Sequence, residues 1–465
     1  MTAQTGQIAA AAHKSPKPYQ PHETPKRAAP ARAERSALLD VIVGAILVLA
    51  VFGYPMVSTL PMFLSLDTRL VSVPFRAFVV ALALAALALA LLHRRRTQVP
   101  LHVGMLVAAS GVILTLRFVN DSLAQALPVN ATQPAGEFAL FFFGVTLLPA
   151  LALFVPLRND IEDRLYKTLL AFGVATVGLA TVATVFMNPD TDLAARADLE
   201  GLNAISYATM GAYLLLLLWS LPAPRHGARR PWFFSACGVL LGLVPLLTAA
   251  SKGPIISLII VLASFHVVSS GKGRRGLTSL IALTVVVVLA AAASLWAGAT
   301  ADADDAVAIA QRLSDVSGDR STVERLVILN SSWDVFTANP LLGGAMVEPI
   351  FNAYPHNILL EALMVGGIPF GAITLLLVLV TTIKAVRLMD SPSNAPLRRF
   401  IGMLALFVLL MSMLSGSLYK SPDFWAVVAL CFALRATRTG RRRTKHSIQG
   451  AAIGHAGRAA TPTLN

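Results

Sequence analysis

Apolar residues run through this chain in long blocks rather than in alternation. Segments at about 38–58, 72–92, 101–118, 137–157, 166–186, 204–222, 232–250, 254–270, 277–298, 357–380, 399–417 and 422–435 carry almost no charge, and short polar stretches separate most of them. A helix needs about 20 apolar residues to cross the hydrocarbon of a bilayer, where each backbone polar group must be satisfied within the helix itself. The pattern predicts an all-α polytopic membrane protein with about 12 transmembrane helices. The last is short, and only Ser251-Lys252-Gly253 parts the seventh from the eighth. Helices 1–9 fill residues 36–298, one large loop fills 299–355, and helices 10–12 fill 356–435, between tails at 1–35 and 436–465.

Composition agrees with this layout. Of the 465 residues 56% are hydrophobic and only 13% are charged, against roughly 25% charged in a soluble domain, which excludes an ordinary cytosolic enzyme. Cys237 and Cys431 both fall inside apolar runs and offer neither a disulfide framework nor a zinc site. Residues 1–35 are rich in Ala, Pro and Lys without an apolar period, as in a disordered basic tail. That stretch is too long and too polar for the n-region of a cleaved signal, so the first helix is expected to act as an uncleaved anchor.

The formal net charge of +14 sits mostly at the ends. The run RTGRRRTKH has a composition that nucleic acid can attract. Beside a membrane helix it reads instead as a cytoplasmic anchor touching anionic lipid, and no nucleic-acid partner is expected. Arg94-Arg95-Arg96, Arg158/Arg164/Lys167, Arg225/Arg229/Arg230, Lys272/Arg274/Arg275 and Lys384/Arg387/Arg398/Arg399 fall on the same side of a 12-span topology as both tails. The positive-inside rule makes that side the cytoplasm. Nine bases are left for the outer face or for helix ends facing it: Arg69, Arg76, Arg117, Arg196, Lys252, Arg312, Arg320, Arg325 and Lys420. A base kept where topology depletes bases is a candidate for holding an anion; the plainer reading is a loop charge paired with a local acid.

The large loop opens with ADADD, which resembles the Asp-x-Asp of metal-dependent nucleotide-sugar enzymes. Nucleotide sugars are cytoplasmic and this run is placed outside, so a solvated acidic turn is the better reading. Next comes GDRSTVERLVILNSSWDVFTANPLLGG. Ser321 and Glu324 form a capping-box pattern, and Leu326, Leu329, Trp333 and Phe336 recur at steps of three and four. This predicts a helix lying on the membrane surface, apolar stripe inward, ended by Asn339-Pro340 and followed by a turn at Gly343-Gly344. Arg325 is placed in its first turn, where backbone N–H groups also favour an anion. His356 stands at the start of the tenth span, where it is either a general base working near neutral pH or a helix-capping histidine. Glu361 lies inside that apolar span, where an unpaired carboxylate is costly. It is expected to face a polar cavity and orient a base or a sugar.

At these residues the chain resembles the O-antigen ligase and polymerase family, bacterial membrane glycosyltransferases that use undecaprenyl-pyrophosphate-linked glycans. The resemblance is carried by ARADLEGLNAISYA with Arg196 and Asn203, by SKGP with Lys252 where the family commonly has arginine, by the Arg–amphipathic helix–Asn-Pro-Leu-x-Gly run, and by His356-Asn357 with Gly367 about three turns on. It spans residues 190–371 in motifs and the whole chain in topology.

The resemblance implies a GT-C-like fold in the bacterial inner membrane, multi-pass, with both termini cytoplasmic and the active site facing the periplasm. It implies inverting transfer of a glycan from undecaprenyl pyrophosphate to a hydroxyl acceptor. The acceptor is lipid A–core for a ligase or another lipid-linked glycan for a surface or exopolysaccharide polymerase, and the layout leans to the ligase. Arg196, Arg325, Lys252 and Arg320 would hold the pyrophosphate, His356 would take or orient the acceptor proton, and Asn203, Asn357 and Glu361 would orient the acceptor. Neither metal nor cofactor is implied, because pyrophosphate already leaves well and cationic side chains can stabilise the developing charge. The competing classes are a 12-span secondary transporter and a non-catalytic envelope-assembly subunit, but no half-repeat is visible and the polar groups gather outside the spans.

Overall fold

The computed structural model describes residues 30–64, 66–93, 99–124, 127, 138–187, 202–221, 232–249, 251–269, 320–392 and 394–434. The ninth apolar segment, Arg196, Arg312, ADADD and the basic C-terminal run lie outside the described residues. Helix α1 (Pro30–Val48) passes through a π-turn at Leu49–Gly53 into α2 (Tyr54–Leu64). There follow α3 (Thr68–Leu92), α4 (Leu101–Leu123), α5 (Leu140–Leu153, π-helical at first), α6 (Glu162–Met187), α7 (Ala204–Ser220), α8 (Trp232–Thr248) and α9 (Lys252–Ser269). The last four are α10 (Arg320–Ala338), α11 (Ile358–Met389), α12 (Pro396–Ser415) and α13 (Pro422–Ala433). Among the described residues there is no strand; an isolated bridge joins Glu348 and Ala353.

Helix ends are set by local chemistry. The carboxylate of Asp67 accepts from the Arg69 amide at the head of α3, and Pro396 and Pro422 open α12 and α13, where a missing N–H costs nothing. The N-terminal stretch departs from expectation: α1 already includes Pro30 to Arg35, residues read as disordered tail. Ala, Arg and Glu in PARAER are strong helix formers, and proline is tolerated in a helix's first turn.

Among the described residues seven helical stretches are long and apolar enough to cross a membrane: Ala37–Leu64, Thr68–Leu92, Leu101–Leu123, Asn159–Thr184, Lys252–Ser269, Ile358–Met389 and Pro396–Ser415. Four more, Leu140–Leu153, Ala204–Ser220, Ala236–Thr248 and Pro422–Ala433, are apolar but shorter. Every predicted apolar segment within the described residues thus has its helix. The described residues are those of an α-helical membrane protein. Helices α7, α12 and α13 are buried along most of their length and form the centre of the bundle.

The tenth segment is not one straight rod. Helical geometry breaks at Gly366 (φ −138°) and Gly367 (φ +65°), dividing α11 into 358–365 and 368–389. The break is filled by the turn that ends α10. The amide of Gly344 donates to Met364 O at 2.8 Å, and that of Ile368 donates to Pro340 O at 2.8 Å. A Cβ on Gly367 would stand 2.5 Å from the Leu341 carbonyl, and one on Gly343 (φ +73°) 2.5 Å from the carbonyl carbon of Val365. The Asn-Pro-Leu-x-Gly turn and the glycine after the His-Asn helix are therefore two halves of one interlocked contact.

Arg117, near the end of α4, locks the same turn. Its Nε donates to Asp121 at 3.0 Å and its Nη1 to Gly343 O at 3.2 Å, while Asp121 accepts from the Met346 amide at 2.8 Å. One of the nine outer bases is thus a strut for the loop and not an anion holder. Arg117→Ala leaves Asp121, 3% exposed at its side chain, without its cation. It is expected to cost about 2 kcal/mol, read as a lower unfolding temperature in detergent and faster chymotryptic cleavage beside Phe351. At the opposite end of the bundle Arg398 grips Glu162 bidentately at 2.7 and 2.8 Å, tying α12 to the start of α6.

Candidate functional site

Glu348 builds the approach to the site. It is fully buried, and its carboxylate takes the amides of Ile350 (2.9 Å) and Phe351 (2.6 Å) and the hydroxyl of Ser331 on α10. Its own amide donates to Ala353 O at 3.0 Å. These bonds fold residues 348–353 back on α10 and deliver Tyr354 and His356 beside Arg325. The helix itself differs from expectation in two respects. It already includes Arg320, so Ser321 lies inside it rather than capping it, and Arg325 falls in its second turn. The inward line runs through Ser332 and Phe336, while Trp333 is half exposed beside Phe336 at 5.2 Å between ring centres.

His356 is held with φ +56°, a left-handed conformation that costs a non-glycine residue of order 1–3 kcal/mol and concentrates at functional sites. Asn357 holds it there from the next position. Its side-chain oxygen caps α11 by accepting from Leu359 (3.0 Å) and Leu360 (3.1 Å), and its amide donates to Met413 O on α12 (3.1 Å). The imidazole lies tilted against Tyr354 with ring centres 4.4 Å apart, and its Nδ1 is buried with no hydrogen-bond partner among the described residues. Burial, and secondly the nearby Arg325 guanidinium, push the imidazole pKa down to about 4. The ring is therefore neutral, with a lone pair available, throughout the ordinary pH range. Burial and the field of Glu361 hold the Tyr354 phenol above its usual value, and Arg325 opposes them.

Glu361 does not face an open cavity. It is fully buried, accepting from Ser417 Oγ at 2.9 Å and from the Leu418 amide at 2.8 Å. A carboxyl this deep needs donors, and it finds them in the loop between α12 and α13. The same loop is fixed by Trp425 Nε1 donating to Leu418 O (2.7 Å) and by Thr146 Oγ1 donating to Tyr419 O (3.1 Å). Glu361 thereby sets the place of Tyr419, whose ring lies 6.5 Å from Tyr354 and 5.7 Å from Phe138.

The predicted residues separate into two groups. Arg325, His356, Asn357 and Glu361 come together at the head of α11, joined by Tyr354 and Tyr419, which sequence reasoning passed over. Asn203 instead caps α7, its side chain accepting from the Ser206 amide at 2.8 Å, and Lys252 opens α9 where Gly253 packs on Met411 and Leu414 of α12. Arg320 starts α10 with its side chain outside the described residues, as is the whole of Arg196. No group of three or more His, Cys, Asp or Glu side chains able to hold a metal occurs among the described residues. No family model matches the chain, and no curated protein matches it. The chemistry offered by the geometry is a guanidinium able to hold an anion beside a neutral imidazole able to accept a proton, walled by phenol rings.

Proposed function

We propose that the protein is a glycosyltransferase of the O-antigen ligase and polymerase type. It moves a glycan from undecaprenyl pyrophosphate to a hydroxyl of lipid A–core or of a second lipid-linked glycan. The observation that carries this reading is the convergence of Arg325 and His356 at the head of α11. A lipid pyrophosphate needs a cation on its leaving oxygen and a base on the attacking hydroxyl, and direct displacement needs no covalent enzyme intermediate. In this reading Arg325 holds the pyrophosphate, helped by Arg196, Arg320 and Lys252, and His356 takes the acceptor proton as the new glycosidic bond forms. Asn357 and Glu361 act by holding His356 and Tyr419 in place. The 12-span GT-C-like layout, with cytoplasmic termini and a periplasmic site in the inner membrane, belongs to the same proposal and is supported by the distribution of Lys and Arg among the loops.

Purified protein in detergent, given undecaprenyl-pyrophosphate glycan with EDTA present, is expected to transfer to one of the two acceptors offered separately. Arg325→Ala is expected to lose at least a hundredfold. Absence of transfer to both acceptors by folded protein would overturn the reading, and the acceptor used decides between ligase and polymerase.

A further inference from the structure

Arg76 is one of the outer-face bases that neither the site nor the loop lock uses. It lies eight residues into α3, about 12 Å along the helix from Thr68. Its guanidinium carbon stands 4.6 Å from the centre of the Phe141 ring and 5.4 Å from that of Tyr54, and no carboxylate pairs with it among the described residues. Aromatic faces attract a cation, yet they leave its five N–H groups without acceptors. The surroundings are lipid-like: Val73 is 56% exposed and Leu140 63%. Both flanking rings sit at π-helical turns, Tyr54 just after Leu49–Gly53 and Phe141 within Leu140–Leu147, a distortion that often marks functional positions.

The bracket faces the same side of the bundle as His356. Helix α3 starts where α2 ends, α4 returns to that level and holds Gly343, and α11 begins there. A chain of ring contacts, buried at Phe138 and Tyr419, joins the two through the protein. Phe138 precedes Phe141 by three residues in the same helical run, and Tyr419, Tyr354 and His356 follow at ring separations of 5.7, 6.5 and 4.4 Å.

We propose that Arg76, bracketed by Tyr54 and Phe141, binds the phosphate of a lipid, and that a lipid-phosphate substrate docks there before its glycan end reaches His356. The docking role rests on the transferase reading; the phosphate site does not. A phosphate at this spot supplies acceptors to the unused N–H groups and removes the cost of a lone guanidinium in apolar surroundings.

Native mass spectrometry of the full-length protein, titrated with undecaprenyl pyrophosphate or with phosphatidylglycerol, tests both parts. Wild type is expected to bind undecaprenyl pyrophosphate at least about tenfold more tightly than Arg76→Gln does. Arg76→Lys should fall between them, because it keeps the charge without the planar fork. Phe141→Leu should weaken binding with the charge intact. His356→Ala, which removes transfer, should bind as wild type does, so loss of the transferase reading and loss of this site are told apart. Equal retention of both lipids, lost together in Arg76→Gln, keeps the lipid-phosphate site and overturns the docking role. Wild-type binding of both lipids by Arg76→Gln protein with an unchanged melting temperature overturns the whole proposal.

Discussion

Replacing His356 by alanine is expected to lower glycan transfer about a thousandfold, the contribution of a well-placed general base, while the protein keeps its fold. The pH profile carries a sharper test. With its pKa at about 4 in the free protein, the imidazole is in base form from pH 5 upward and is lost as a base only when pH falls through about 4. Burial and Arg325 cause that depression, and a pyrophosphate on Arg325 cancels the second cause. The imidazole pKa must then rise in the substrate complex, towards the value that makes a better base. The acid limb of kcat is therefore expected at higher pH than that of kcat/KM, since the first reports the complex and the second the free enzyme. Arg325→Ala should move the acid limb of kcat/KM upward as well. Coincident limbs, or a His356→Ala protein that still transfers at the wild-type rate, would remove the imidazole from the reaction.

Gly367→Ala is expected to destabilise the protein by roughly 3 kcal/mol and to stop transfer with it. The added methyl meets the Leu341 and Pro340 carbonyl oxygens at 2.5 Å, and the φ of +65° is itself unfavourable for alanine. Backbone cannot swing aside as a long side chain can, so the turn and the helix head must part. Gly178→Ala in α6 is the control: a methyl there meets nothing within 4 Å, and helix propensity makes the change neutral or slightly stabilising. Thermal unfolding in detergent separates the two. Equal melting temperatures for Gly367→Ala and wild type would show that the interlock does not hold the loop.

Membrane character and the position of nearly every described helix were legible in the sequence, because a hydrocarbon solvent tolerates few alternatives to an apolar run. Arg325 and His356 were legible as a pair because a base on the depleted side and a histidine at a helix mouth are both unusual. Their partners were not. Tyr354 and Tyr419 lie 65 residues apart in an ordinary aromatic background, and tertiary bonds such as Glu361 to Ser417 and Leu418 bring the second to the first. Glu348 drew no reading from the sequence, although its carboxylate, followed by Pro349 in an otherwise apolar stretch, captures its own loop amides. Asn203 and Asn357 show a signal of another kind: an asparagine before an apolar run is a strong cap former, and both cap their helices.

The break at Gly366-Gly367 also resets where the lipid begins. As one rod, the 32 residues of α11 would measure about 48 Å, half as long again as the hydrocarbon is thick. The part after the break, 22 residues, measures about 33 Å and matches one crossing. The eight residues before it are apolar for another reason: Ile358, Ala362, Met364 and Val365 are buried against protein. Hydropathy alone therefore draws the membrane boundary two turns too high on this helix. Set at Gly367, the boundary leaves His356 outside the hydrocarbon, which suits the lipid-phosphate substrate proposed above.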